Sequence, residues 1–326
     1  MRYSVVIRTL GKSGEMFAKT LESIYTQNIQ PEKVVVYIAE GYSLPAERTV
    51  KEKYIFVRKG MVSQRALSYE EIKSEYILFL DDDVYLPTNG VEKLYENLVS
   101  QSADVIAPDV FPNYSRDKIT KIKMALIGKS VARKDDGVWA YKALRNGGYS
   151  YNEYPHAPVL LSQLNAGPCF FCRKEVFLSI HFEEEMWLDK TPYALPDDQV
   201  MFYKFFKLGY KVLTAFDTGI IHLDAGSTIK ATSCKIQSVS YSESRNKLIY
   251  WHRFIYVPDK NNIIMLLLDV ICFLSANIVR MFLMLVKLRI GELKSWIKGV
   301  SDGISYIKSN EYKQLPIIPN NQLHYE

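Results

Sequence analysis

Between residues 3 and 110 the chain alternates almost wholly apolar runs with segments of helical spacing. The runs are YSVVIRT, KVVVYIAEG, KYIFVRK, EYILFLDDD and ADVIAPDV. The segments GEMFAKTLESIYTQN, SQRALSYEEIKS and VEKLYENLVSQ lie among them and are expected to be helices. A strand exposed on one face alternates apolar and polar residues, whereas a near-continuous apolar strand must be covered on both. The pattern therefore predicts an α/β fold with a mostly parallel central sheet flanked by helices. In such sheets ligands bind beyond the carboxyl ends of the strands. That places Thr9, Glu40 and Asp81 to Asp83 on one rim.

The run LFLDDD is the most unusual of these strand ends. Adjacent carboxylates repel one another, and aspartate is a poor strand former. A divalent cation, Mg2+ or Mn2+, takes hard oxygen ligands and relieves that repulsion. If the chain stays extended, Asp81 and Asp83 point one way and Asp82 the other. A solvated acidic turn is the plainer reading, but the apolar strand leading into the block favours a ligand role. In LPDDQVMFYK, Asp197 and Asp198 stand at the start of a helix. Capping and the helix dipole account for one of them, leaving the other for general-base work. His222, in GIIHLDAGS, ends an apolar strand. It is either a structural residue or a metal ligand through its neutral imidazole.

The net charge of +5 on 326 residues is too small to argue for nucleic acid. The length allows one large domain or two. MRYSVVIRT passes directly into a strand pattern, without the arrangement of a signal peptide. Cys169 and Cys172 form CFFC, in a stretch that reads as a strand running into a helix, while Cys234 and Cys272 stand apart. No second pair completes a zinc site, so packed thiols in a reducing cytosol are expected. From 111 to 165 periodicity fades, as in a functional loop. KVLTAFDTGIIHLD reads as one further strand, and SYSESRNKLIYWHRFIY as a basic-aromatic helix. The intensely apolar NIIMLLLDVICFLSANIVRMFLMLVKLRI comes next, interrupted by Asp269 and Arg280. Each of these charges costs about 2.5–3.5 kcal/mol at a bilayer centre. On a helical wheel Asp269, Ala276, Arg280 and Lys287 share one side, with Asn277 at its margin. A narrow polar stripe on a broad apolar surface predicts an interfacial helix, with KLRIGELKSWIKG supplying basic residues and a tryptophan for anionic headgroups. A core helix, a subunit contact and a true span are the alternatives.

In order along the chain, YSVVIRT, VVVYIAEGYS, SQRALSYEEIKSEYILFLDDDVYLP, PDDQVMFYKFFKLGYKV and HLDAGS resemble the family 2 glycosyltransferases. The resemblance implies a GT-A-type fold in residues 1–225, with a nucleotide-binding half at 1–110 and an acceptor half at 111–225. Residues 226–326 would form a C-terminal helical, membrane-associating extension. The activity implied is metal-dependent, inverting transfer from a UDP, dTDP or GDP sugar to a hydroxyl of a glycan or lipid-linked saccharide. Cell-surface polysaccharide synthesis at the inner face of the cytoplasmic membrane would fit it, and a homo-oligomer stays open. Thr9 and Glu40 resemble residues that hold the base and ribose, although Glu40 stands where aspartate is usual. Arg65 resembles a basic residue near the nucleotide. Asp81 and Asp83 resemble the two acids of D-x-D, which bind donor and metal. Some relatives place the working pair adjacently, which would bring in Asp82. Asp198 resembles the catalytic base, and His222 a metal-binding histidine. Arg245 and Lys247 resemble residues that close over donor phosphates, or else form a solvated helix face. A haloacid-dehalogenase-type phosphatase is the rival enzyme, but Tyr85 stands where its motif has threonine or valine. A non-catalytic membrane scaffold with a degenerate transferase domain is the third reading.

Overall fold

All six residues of Val34–Ala39 are buried, and such a strand is stable only with helices over both of its faces. The computed structural model describes residues 1–110, 117–223 and 232–319. Its first part contains β1 (Tyr3–Thr9), α1 (Glu15–Tyr25), β2 (Val34–Ala39), β3 (Glu52–Val57), β4 (Tyr76–Asp81), β5 (Val84–Tyr85), α2 (Gly90–Ser100) and β6 (Val105–Pro108). Then come α3 (Lys118–Leu126) and the short strands β7 (Ser130–Arg133), β8 (Trp139–Ala143), β9 (Tyr149–Asn152) and β10 (Val159–Ser162). β11 (Cys169–Arg173), α4 (Lys174–Ser179), a 3-10 segment (Phe182–Lys190), α5 (Asp197–Lys207), β12 (Val212–Ala215) and β13 (Ile221–His222) follow. The remainder is helical: α6 (Ser233–Trp251), a π-turn (His252–Tyr256), α7 (Val257–Asp259), α8 (Ile263–Val286), α9 (Ile290–Lys308) and α10 (Asn310–Lys313).

One eleven-stranded sheet runs β3-β2-β1-β4-β11-β6-β12-β10-β8-β9-β7. β3, β2, β1 and β4 are mutually parallel, β11 is inserted antiparallel beside β4, and β6 and β12 are again parallel. The expected architecture, a mostly parallel sheet flanked by helices with a helical C-terminal region, is what forms. Alternate residues of β1 and β4 feed two cores. Val5, Ile7, Leu78 and Leu80 face α1 and α2. Val6, Ile77 and Phe79 face α5 and α6, whose Phe202, Ile249 and Tyr250 join them. α6 thus shares the core of the α/β body. Cys169 and Cys172 are free thiols buried within β11, and burial pushes both upward in pKa, as packed thiols should behave.

Three expectations need correction. Residues 63–74 form no helix: a single turn forms from Gly60 to Ala66, and Tyr69 then adopts a left-handed φ of 51° that stops propagation. Residues 117–165 are largely ordered. Their inward positions include Ser150, Asn152 and Ser162, which erase the apolar alternation that would betray strands. KVLTAFDTGIIHLD divides into β12 and β13, with Gly219 at φ 67° between them, and β13 pairs with β5 in a separate ribbon.

α8 lies along the body with its polar stripe turned inward. Asp269 is fully buried and meets Arg145 at 2.7 Å, and Arg280 meets Glu243 at 2.7 Å. Phe273 stacks on Trp251 at 4.3 Å, and Arg280 lies 4.0 Å above the ring of Trp296. Trp296 is therefore buried beneath α8 and is no headgroup anchor. Among the described residues, α8 is the one helix long and apolar enough to cross a membrane. α9 crosses α6 closely because Gly299 has no side chain: a Cβ there would fall 2.0 Å from Ser244 Oγ.

Burial raises the pKa of Glu243, but the charge and hydrogen bonds of Arg280 outweigh it and hold the carboxyl at about 2. The stability this pair confers is full above the ordinary carboxylate range and fades as pH falls toward 2. Glu243→Gln is expected to cost about 3 kcal/mol at neutral pH in urea unfolding, with the deficit against wild type shrinking on acidification.

Candidate active site at the sheet rim

The three aspartates after Leu80 go three separate ways. β4 ends at Asp81, and the chain turns through Asp82 and Asp83 before β5. Extended alternation therefore does not continue through the block, and the side chains of Asp81 and Asp83 meet different partners. Asp81 pairs in register with Arg8 of β1, whose guanidinium grips it from Nε and Nη2, the latter at 3.1 Å. Asp82 accepts a short hydrogen bond from the Thr9 hydroxyl. Asp83 meets His222 Nε2 at 2.9 Å, across the ribbon formed by β5 and β13. Leu223 N–H also donates to the Asp83 carbonyl at 2.8 Å, fixing the turn against β13. Residues 224–231, which hold the rest of HLDAGS, lie outside the described residues.

Arg8 continues beyond Asp81 to Asp197 at 3.5 Å. Arg65, only 3% exposed, reaches Asp198 at 3.2 Å, Asp81 at 3.7 Å and Asp197 at 3.8 Å. Arg65 Nη2, the nitrogen that faces Asp81, also donates to the Gly167 carbonyl at 2.9 Å. Two arginines thus lock a strand end to the first turn of α5. Burial pushes Asp81 upward, but the charge and hydrogen bonds of Arg8 more than offset this, leaving it below its ordinary value. Burial pushes Asp82 up against the opposing hydrogen bond of Thr9. Asp197 is pushed up to about 7 by burial and then by the charge of Asp198. The neighbours therefore differ in chemistry: Asp197 is sequestered, while the Asp198 side chain is 31% exposed at the rim. Neither caps α5 through its side chain.

Thr9 and Arg65 accordingly lie with the acids, and Glu40 is exposed just past the end of β2 on the same rim. Arg245 and Lys247 are engaged elsewhere. Arg245 donates to the Trp187 carbonyl at 3.0 Å, and Lys247 to the Gly128 carbonyl at 2.5 Å, both from buried positions. They are not a solvated face, and burial lowers Lys247 to about 8. Sequence reasoning missed Arg8, although a lone arginine in the apolar run VVIRT is the signal that could have found it. It also missed Asp189, which accepts from the N–H groups of Val62 and Ser63 at 3.1 and 2.8 Å and so holds the turn that carries Arg65. Gln64, on that turn, donates to the carbonyls of Thr9 and Tyr37. Gly167 was missed too: a Cβ there would sit 1.9 Å from Asp198 Oδ1.

Among the described residues no three acid, histidine or cysteine side chains form a ready-made metal cage. Asp83 and His222 Nε2 lie 2.9 Å apart and could supply two ligands to a divalent cation. A cation such as Mg2+ is commonly held by one or two carboxylates and completes its shell with substrate phosphates and water, so Asp83 is the carboxylate such a site would use.

No family model matches the chain, and no curated protein matches its sequence. Among solved structures, it is similar to GalNAc-T7 with UDP, GalNAc and Mn2+, at 14% identity and a TM-score of 0.47 over 76% of this chain. The alignment spans 50%, half the length, of that protein. It is also similar to a mannosyltransferase, PcManGT from Pyrobaculum calidifontis, in complex with GDP-Man and Mn2+. Identity there is 13% and the TM-score 0.49, over 96% of this chain and 82% of the other.

Arg8→Ala would leave the partly buried Asp81 and the buried Asp197 without their main counter-charge. It is expected to lower unfolding free energy by about 3–5 kcal/mol. Arg8→Lys should recover part of this, because lysine restores the charge without the two-pronged grip. Urea denaturation of both variants checks the order.

Proposed function

We propose that this chain is a GT-A-type glycosyltransferase that moves a sugar from a nucleotide-sugar donor to an acceptor hydroxyl. The observation that carries the reading is the shared arginine, Arg65, joining the strand-end acid Asp81 to the partly exposed Asp198 at the carboxyl rim of a parallel sheet. Thr9 and Glu40 would hold the base and ribose, with Asp82 fixed beside them through the Thr9 hydroxyl. Asp83 and His222 would hold Mg2+ or Mn2+, with Asp81 lending its charge from behind. A bound divalent cation neutralises charge that develops on a departing diphosphate.

Asp198 then acts as the general base. The acceptor oxygen attacks the anomeric carbon, the bond from that carbon to the diphosphate oxygen breaks, and the hydroxyl proton passes to the Asp198 carboxylate. Arg65 fixes the orientation of that carboxylate, and Gly167 leaves room for it. A single displacement of this kind inverts the anomeric centre. A covalent route would require a free carboxylate nucleophile beneath the sugar. Asp81 is spoken for by Arg8, which also weighs against the phosphatase reading, where that same acid would have to attack phosphorus. The acceptor is a glycan or lipid-linked saccharide, in cell-surface polysaccharide synthesis at the inner face of the membrane.

A panel of UDP, dTDP and GDP sugars, each with and without Mn2+, identifies the donor by metal-dependent thermal stabilisation. With that donor, Asp198→Ala is expected to reduce transfer by about 100-fold or more while leaving the thermal shift intact. Wild-type transfer rates in that variant would remove the base assignment, and absence of any stabilising nucleotide would remove the function. Asp83→Ala and His222→Ala should both lose the metal-dependent part of the shift. A greater loss in Asp82→Ala than in Asp83→Ala would move the cation to Asp82.

A further inference from the structure

The outward surface of α8 is almost entirely apolar. Every exposed side chain between Ile263 and Val286 is hydrophobic except Ser275. Ile264, Leu267, Ile271, Ile278 and Phe282 each leave more than half of their surface uncovered. α3 adjoins this helix: Gly128, just past its end, lies so close to Ala276 that a Cβ there would approach the Ala276 Cβ to 2.7 Å. α3 is itself amphipathic, exposing Ile119, Ile122 and Leu126. Lys118 and Lys123 are exposed on it, and Lys260, Lys287 and Arg289 are exposed at the two ends of α8. We propose that α3 and α8 together form a platform that seats this protein on the headgroup layer of an anionic bilayer.

Three observations select this occupant. The only charges within α8, Asp269 and Arg280, are committed to Arg145 and Glu243 on the body, so the helix rests on the protein along one side instead of leaving it to span. No acidic side chain is exposed within α8, and the basic residues flanking it, Lys260, Lys287 and Arg289, lie at the ends of the apolar surface, where they suit anionic headgroups. A second copy would bring like-charged ends toward one another, which opposes self-pairing. Interfacial helices bury their apolar side to the depth of the headgroup–acyl boundary, and α3 widens the area available for it. The platform stands independently of the sugar-transfer reading.

Flotation of the full chain with phosphatidylcholine vesicles, with and without about one-third phosphatidylglycerol, tests the proposal. Wild type is expected to float with the anionic vesicles and to be released by alkaline carbonate. Ile271→Glu with Ile278→Glu should weaken partitioning at least about tenfold. Ile119→Ser with Ile122→Ser should weaken it roughly threefold or more. Lys118→Glu with Lys123→Glu should reduce binding to anionic vesicles alone. These side chains are exposed, so circular dichroism and urea midpoints should match wild type. Wild type that stays unbound, or substitutions that leave flotation unchanged, would overturn the platform. So would carbonate-resistant insertion, or a concentration-dependent dimer without vesicle binding that the α8 substitutions dissolve.

Discussion

A guanidinium inside an α/β sheet is stable only when carboxylates surround it, and Arg8 draws its carboxylates from two distant parts of the chain. Asp81 comes from β4 and Asp197 from α5. Arg65 binds the same two acids and adds Asp198. Removing such ions from water costs several kcal/mol each, recovered only when every partner is present with good geometry. β1, β4, the turn at residues 62–66 and the start of α5 are therefore ordered as a unit. Asp198 is the most exposed acid of that unit, with 31% of its side chain open at the rim. Its position is consequently set by the sheet interior and does not depend on a surface loop.

Segments remote in sequence serve this cluster indirectly. Much of the charge in the acidic stretch at 183–196 is spent internally. Asp189 secures the backbone around Ser63, and Glu185 lies fully buried between Lys204 and Arg253, with Trp187 Nε1 donating to it at 2.7 Å. Burial raises Glu185, but the charges of Lys204 and then Arg253 prevail and keep it below its ordinary value. This network fastens the 3-10 segment to α5 and the π-turn, while Asp189 transmits that fixity to Arg65.

The parallel sheet could be read from β1, β2 and β4 because their residues are apolar on both faces, a pattern with few other solutions. The rim position of Thr9, Glu40 and the aspartates followed from the same logic. The separate duties of Asp81, Asp82 and Asp83 could not be read. They depend on where β4 stops, and that is fixed by the turn at Asp82 and by β13, more than a hundred residues later. Arg245 and Lys247 misled for a related reason. A basic residue on a helix has the same local pattern whether its ammonium or guanidinium meets phosphate or the carbonyl of a packed loop. The residues of β7 to β10 were silent because serine and asparagine occupy positions where a strand pattern needs aliphatic side chains.

The inward stripe of α8 has a mechanical meaning. Asp269 and Arg280 are three helical turns apart, and each is tied to a different anchor on the body. A rod pinned at two such points cannot roll about its own axis. Whatever surface the outward side rests upon, the tilt and height of the sheet's carboxyl rim above it are then set by the fold, so the protein addresses that surface in a single pose.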